Sequence, residues 1–319
     1  MIPSIEQNFT LIFIKYKISM EKEEEEKKDE KEKKEEDKER KKLIMVQVLG
    51  QGKYGTVYLA KDQDDKKYAV KTIEIGSSET NIQNEIFILA NLSSYSHYFP
   101  YILYYYGTFE MSRDGRNYVA IMTEYIEGPT LEELIKKRNN VPFPFETLIK
   151  YMYQLASAFE LMHFMKCAHR DIKPENILLD IEKDRLKVID FGLACMNDCS
   201  GDVGSPLWRP PESFMSKYTN NLESAQKHDV WSMGIVFYEL ANLSLPFNGN
   251  LNGKSLEQFV RILQDRLIPS RYNADFSENN IFVNSIIDEI LTHDPKNRPN
   301  TNTILKTLRS FLVHINYIL

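Results

Sequence analysis

Two short segments hold most of the groups able to do chemistry: His169-Arg170-Asp171-Ile172-Lys173-Pro174-Glu175-Asn176 and Val188-Ile189-Asp190-Phe191-Gly192. They bring two aspartates, a lysine and an amide to turns that flank a short β-hairpin. Asp190 and Asn176 carry hard oxygen donors of the kind that hold Mg²⁺ on a nucleotide. Asp171 is suited to orienting and deprotonating a hydroxyl, and Lys173 to neutralising charge on a phosphate in transfer. A His-Arg-Asp tripeptide alone carries no weight. The two segments in this order, after the features upstream, do not arise by chance.

Upstream lies Gly50-Gln51-Gly52-Lys53-Tyr54-Gly55-Thr56-Val57. Three glycines between strand-like runs allow a tight turn whose backbone N–H groups can approach phosphate oxygens. An ordinary hairpin turn explains them equally well. A dinucleotide-binding turn requires a helix after the third glycine, whereas Thr56-Val57-Tyr58-Leu59 reads as strand. The Gly-Lys-Ser/Thr ending of a P-loop is missing. Next comes Tyr68-Ala69-Val70-Lys71, whose lysine could simply reach out to water. Glu85 on the following helix gives it a partner that would hold it toward phosphate oxygens.

The elements that must position these groups are of two kinds. From Leu43 to Val70, apolar and polar residues alternate around turns, which is strand periodicity. Residues 81–92 (NIQNEIFILANL) switch to helical spacing, with Ile82, Ile86, Ile88 and Leu89 on one broad face. Strand-like runs at 101–108 and 118–125 follow, joined by the turn-like SRDGRN. After Gly128-Pro129 helical patterns dominate, at 130–137, 145–165, 228–243, 256–267, 281–291 and 301–312, interrupted by β-rich stretches at 177–179 and 186–189. The expectation is an α+β chain: a small antiparallel sheet with one main helix, then a larger, mainly helical part, with a cleft between them.

The whole motif set resembles the eukaryotic protein kinase family, serine/threonine type, over about residues 43–312. The resemblance implies a two-lobed domain over residues 43–319, with an N-lobe to about 126 and a C-lobe from about 127, preceded by an extension of residues 1–42. It implies that Gly50, Gly52 and Gly55 cover ATP phosphates, with Tyr54 at the loop tip and Val57 against the adenine. Lys71 would contact the α- and β-phosphates and pair with Glu85. Glu124-Tyr125-Ile126 would be the hinge, with Glu124 and Ile126 offering backbone groups to the adenine edge and Thr123 as a small gatekeeper. Asp171 would be the catalytic base with Lys173 beside it, while Asn176 and Asp190 would hold Mg²⁺. The implied reaction moves the γ-phosphoryl group of Mg²⁺·ATP to Ser/Thr hydroxyls of protein substrates.

Downstream, Gly204–Glu212 resembles the end of the family's activation segment, with Pro210 where alanine is usual. Asp229–Gly234 resembles the helix that anchors the catalytic loop, and Arg298 is expected to pair with Glu212. Lys173 and Ser205 indicate the serine/threonine type over the tyrosine type, and Glu175 is a candidate contact for a basic residue upstream of the phosphosite. Retention of Lys71, Glu85, Asp171, Asn176 and Asp190 weighs against a pseudokinase scaffold. The substrate-lobe features weigh against a small-molecule kinase.

Arg170 before the catalytic aspartate is typical of kinases whose activation loop is ordered by phosphate. The usual phosphosite falls near Gly201, which has no hydroxyl. Ser200 and Asp202 flank it, and the expectation is basal activity without an upstream kinase. Cys195 and Cys199 lie in the same segment. A redox switch is one reading; reduced thiols with no basic neighbour is the favoured one. Tyr104-Tyr105-Tyr106 reads as strand packing rather than a base-stacking surface.

Composition adds exclusions. The 319-residue chain carries a formal charge of −6, against a broad electrostatic claim on nucleic acid or anionic membrane. A hydrophobic fraction of 42% rules out a wholly disordered chain. Residues 21–42 are all charged, 12 acidic and 10 basic, and read as a solvated spacer or, alternatively, a partner-docking helix. Three cysteines cannot all pair and form no zinc spacing, which points to a reduced compartment. The apolar run Phe9–Ile14 is too short to span a bilayer. These features predict an intracellular protein, cytoplasmic with the nucleus open, and no transmembrane segment.

Overall fold

The computed structural model describes residues 8–10, 42–52, 55–76, 79–196, 198–215, 221–247, 256–264, 267–268, 270, 272 and 278–315. The chain divides into two units, one running through Ala90 and resuming at Tyr104–Ile126, the other comprising Asn91–Leu103 and everything from Glu127 on. The charged tract at 21–41 and the glycine-loop residues Lys53 and Tyr54 lie outside the described residues.

The first unit is built on an antiparallel sheet with strand order β1-β2-β3-β4-β6-β5. Its strands are β1 (Asn8–Thr10), β2 (Lys42–Gly52), β3 (Gly55–Lys61), β4 (Lys67–Glu74), β5 (Tyr105–Arg113) and β6 (Arg116–Glu124). Short β1 pairs with the start of β2, placing Phe9 opposite Leu43. The alternation in β4 decides what each face does. Tyr68 and Val70 enter a core with Leu43, Met45, Ala60, Phe109, Ala120 and Met122. A period of two then sends Ala69, Lys71 and Ile73 to the opposite face. Helix α1 (Glu79–Ser93) buries Ile82, Glu85, Ile88, Leu89 and Leu92. Glu85 sits on that buried stripe because it falls three residues after Ile82 and four before Leu89.

The sequence reading of a strand over 101–108 is corrected by the structure. Ile102 forms a parallel bridge with Val188 in the second unit, and Val188 N–H donates to the Tyr101 carbonyl at 2.9 Å. The sheet strand begins only at Tyr105 and runs on to Arg113. The turn is therefore just Asp114-Gly115, both at positive φ (52° and 75°), so most of SRDGRN is strand. Polar Ser112, Arg113 and Asn117 conceal the strand period because that end of the hairpin is exposed.

The second unit is mainly helical: α2 (Leu131–Lys137), α3 (Phe145–Phe164), α4 (Leu222–Asn242), α5 (Leu256–Gln264), α6 (Glu278–Ile290) and α7 (Thr301–His314), with a β7 (Ile177–Asp180)–β8 (Arg185–Val188) hairpin. Thr130 starts α2 with a reciprocal capping box to Glu133. Helix α4 begins six residues before the periodicity at His228. The Asn221 side chain caps it by accepting from Ser224 N–H at 2.8 Å, and its polar first turns add nothing to an apolar stripe. Helix α6 begins three residues earlier than expected. Helix α4 is buried almost all round, as befits the centre of its unit, and Trp231 is fully enclosed.

Candidate active site

In the first unit the alternation of β4 and the stripe of α1 meet at one ion pair. Lys71 Nζ lies 2.8 Å from Glu85 Oε1 and 3.0 Å from Oε2. The lysine side chain is 16% exposed and the carboxylate 5%, so the pair is largely desolvated. Val57 stands opposite Lys71 on β3, and Ile121 opposite it on β6. Gly55, at φ 132°, must be glycine, since a Cβ there would sit 2.3 Å from the Thr72 carbonyl oxygen. Among the described residues, an added Cβ at Gly50 or Gly52 would meet nothing within 4 Å.

At the end of β6, Thr123 Oγ donates to the Ala69 carbonyl at 3.4 Å. The Glu124 N–H donates to the Tyr104 carbonyl at 2.9 Å, while its carboxylate accepts from Tyr104 N–H at 2.8 Å. These two bonds pin the chain just before Tyr125, and Ile126 beyond it is buried.

In the second unit, Asp171 is the hub. Its Oδ1 accepts from Ser205 N–H at 2.8 Å, and its Oδ2 accepts from Asn176 Nδ2 at 3.0 Å. Lys173 Nζ lies 3.3 Å from Asp171 Oδ2 and donates to Ser205 Oγ at 2.8 Å. Asn176 Nδ2 also donates to the Asp171 carbonyl at 2.8 Å, which turns its amide oxygen the other way. Ile189 N–H donates to the Asn176 carbonyl at 2.9 Å, joining this loop to the residue before Asp190. Arg170 and Asp190 both take positive φ, 65° and 59°. Each costs of order 1–3 kcal/mol for a residue other than glycine.

A buried carboxylate holds Arg170 in that conformation. Asp229 on α4 accepts from His169 N–H (2.7 Å) and Arg170 N–H (2.8 Å), and lies 3.0 Å from His163 Nε2. Burial pushes its pKa up, but the His163 hydrogen bond, the His163 and His169 charges and the Arg170 amide outweigh that and hold it below the usual carboxylate range. His163 is the partner the sequence reading missed: a histidine in the last turn of an apolar helix gives no signal until α4 is placed beside it. The loop carrying Ser205 approaches closely because Gly204 sits at φ 101°, where a Cβ would lie 2.4 Å from the Arg170 carbonyl oxygen. Farther on, Arg298 forms the expected pair with Glu212, at 2.7 and 3.3 Å, and also donates to the carbonyls of Lys227, Thr292 and His293.

The segment between Asp190 and Ser205 corrects two expectations. Cys195 and Cys199 are joined in a disulfide, where the sequence reading favoured reduced thiols; Cys167 stays a buried thiol. A basic neighbour is also present, from far along the chain. Arg170 donates to the carbonyls of Leu193 and Ser200, each at 2.7 Å, bracketing both cysteines. The negative charge of Asp202 goes to Arg209, whose guanidinium also bonds the Ser213 hydroxyl and carbonyl.

A family model for the protein kinase domain matches residues 43–308. The Mus musculus serine/threonine-protein kinase Nek5 is 30% identical over 274 residues, covering 84% of this chain and 40% of that protein. The Homo sapiens Nek5 is 31% identical over 86% of this chain and 37% of its own length. The Caenorhabditis elegans serine/threonine-protein kinase nekl-2 is 30% identical over 82% of this chain and 72% of its own length. The chain thus spans about two fifths of the length of the two Nek5 proteins it matches.

Proposed function

The chain belongs to the eukaryotic protein kinase family, among the serine/threonine kinases, and from that premise we propose that it transfers the γ-phosphoryl group of Mg²⁺·ATP to serine and threonine hydroxyls of protein substrates. The observation that carries this reading is the Asp171 hub: one carboxylate fixed by Asn176, Lys173 and the Ser205 backbone. In that arrangement Asp171 would accept the proton of an incoming hydroxyl, and Lys173 would steady charge on the phosphoryl group in transfer. Lys71, aligned by Glu85, would hold the nucleotide's α- and β-phosphates. Gly50, Gly52 and Gly55 would cover them, Val57 would pack on the base, and Glu124 and Ile126 would offer backbone groups to its edge.

The donor set fits the metal. Asp190 and the Asn176 amide are hard oxygen ligands, and among the described residues no cluster of three or more His, Cys, Asp or Glu makes a protein-only metal cage. Mg²⁺ characteristically takes one or two protein oxygens and completes its shell with phosphates and water. When bound there it would neutralise phosphate charge.

Glu175 extends the proposal to substrate preference. Its Oε2 is buried and, among the described residues, has no hydrogen-bond partner. Burial, reinforced by the nearby charges of Glu175 and Glu132, pushes Glu239 up to about 8 against the pull of the Trp208 N–H. A cation on the substrate, N-terminal to the acceptor hydroxyl, would satisfy both groups. Among the described residues no helix is long and apolar enough to cross a membrane, and we place the enzyme's substrates among intracellular proteins.

The test incubates purified protein with Mg²⁺·ATP and a mixture of unmodified proteins, then identifies the phosphorylated amino acid after acid hydrolysis. Phosphoserine and phosphothreonine are expected. Phosphotyrosine alone, or labelling only of small metabolites, would overturn the assignment; absence of transfer under all conditions would leave the scaffold reading.

A further inference from the structure

The surroundings of the Cys195–Cys199 bond give it a use. Cys195 is tied to Ala168 by two reciprocal backbone hydrogen bonds of 2.8 Å, and Ala168 immediately precedes His169-Arg170-Asp171. Both cysteines are buried, at 1% and 3% exposure, in a small cluster with Ala168 and Ala225 against Leu222. Ser200, next to Cys199, gives its carbonyl to Arg170 at 2.7 Å, and Leu193, two residues before Cys195, gives its own to the same guanidinium. The covalent bond therefore closes the chain between the point paired with Ala168 and the point held by Arg170. Gly201, at φ 94° and two residues past Cys199, has no side chain that could carry a phosphate to Arg170.

We propose that the Cys195–Cys199 disulfide is a reversible redox latch on the activation segment, taking the ordering role that a segment phosphate plays elsewhere. With the bond closed, the Ser200 carbonyl is held at Arg170, and the downstream chain delivers the Ser205 N–H to Asp171. With the bond open, Cys199 and Ser200 are anchored only by noncovalent contacts, and the Ser205 contact is made a smaller fraction of the time. Closure consumes hydrogen peroxide. One cysteine thiolate attacks the terminal oxygen and becomes a sulfenic acid as water leaves. The second thiol then attacks that sulfur, forming the S–S bond and releasing a second water; both thiol protons end in water. Two electrons pass from the thiol pair to the peroxide, and a small dithiol returns them by exchange. Because both sulfurs are buried, each direction waits on local opening.

This inference rests on the proposed phosphotransfer, so the test reads structure and rate separately. Phosphatase-treated full-length protein is prepared after hydrogen peroxide and after dithiothreitol, and the thiol state of residues 195 and 199 is fixed by alkylation and mass measurement. Hydrogen exchange over residues 193–205 should be slower in the oxidised form. Peptide phosphorylation should fall roughly fivefold or more on reduction and return on reoxidation. The double variant Cys195→Ser/Cys199→Ser should sit at the reduced rate and ignore both reagents, whereas Cys167→Ser should keep the wild-type response. Equal exchange in two verified thiol states, equal rates, or failure of the two thiols to oxidise would overturn the latch. If no phosphotransfer occurs in either state, the functional assignment falls and the exchange result alone decides the latch.

Discussion

Replacing Lys71 with methionine separates what the Lys71–Glu85 pair does for the fold from what it does for chemistry. The substitution keeps the length of the side chain and removes its charge. Glu85 is then left 5% exposed without its cation. Removing one partner from a buried pair costs about 3–5 kcal/mol. Lys71 retains 16% exposure, so water can reach the gap and the lower end of that range applies. About 3 kcal/mol corresponds to a drop of roughly 6–12 °C in the unfolding midpoint of a domain this large. The double variant Lys71→Met/Glu85→Gln removes the stranded charge and should recover most of that loss. Phosphotransfer should not recover: both variants should fall about 100-fold or more, because the group proposed to hold phosphate is gone in each. Calorimetry without nucleotide, run beside a peptide phosphorylation assay, measures the two effects independently. A double variant as unstable as the single would refute the ion-pair reasoning. Wild-type turnover in either would refute the role proposed for Lys71.

Three further outcomes follow from the second unit. Asp229→Asn puts an N–H₂ group among the His169, Arg170 and His163 donors, which should cost about 3 kcal/mol in urea unfolding and lower kcat more than it raises KM; an unchanged kcat would show that Asp229 does not position the Asp171 loop. Gly204→Ala forces a Cβ against the Arg170 carbonyl and should slow phosphotransfer at least about tenfold while leaving global stability within about 2 kcal/mol; full activity would mean the Ser205–Asp171 contact is dispensable. Burial pushes His228 down to about 4 from an unfolded value near 6.5, so between those pH values the unfolded chain binds a proton that the folded chain refuses. Stability should therefore fall by up to about 3 kcal/mol as pH drops from 6.5 to 4, and urea midpoints of His228→Asn should lack that component; identical pH slopes would refute it.

The most legible features in the sequence were those governed by local period and by short-range spacing. The sequence marks Tyr68-Ala69-Val70-Lys71 as strand and 81–92 as helix with Glu85 as the lysine's partner, and the structure pairs the two at 2.8 Å. Both followed from neighbours a few residues away. The run at 101–108 misled because Tyr101–Leu103 takes its backbone partner from Val188, over eighty residues later, and no local pattern encodes that. The first turns of α4 were missed because a capped, polar start carries no apolar period.

The activation segment was least legible. Whether Cys195 and Cys199 meet, and whether a cation lies beside them, depends on Arg170 and Ala168 arriving from the catalytic loop. Spacing within the segment reports neither. Asp202 shows the same limit: its charge was visible, but its partner Arg209 was not, because that pairing depends on how the loop through Gly204 turns back.

Asp171→Asn removes the carboxylate on which the proposed transfer turns. The amide keeps the shape of the side chain and leaves Oδ1 able to accept from Ser205 N–H, but it cannot take a proton from a hydroxyl. The measurement is single-turnover transfer of labelled γ-phosphate from Mg²⁺·ATP to a serine peptide, with nucleotide binding and unfolding midpoint checked on the same samples. Nucleotide binding and fold should persist while transfer falls by about 100-fold or more. Transfer at the wild-type rate in the folded variant would contradict the role proposed for Asp171.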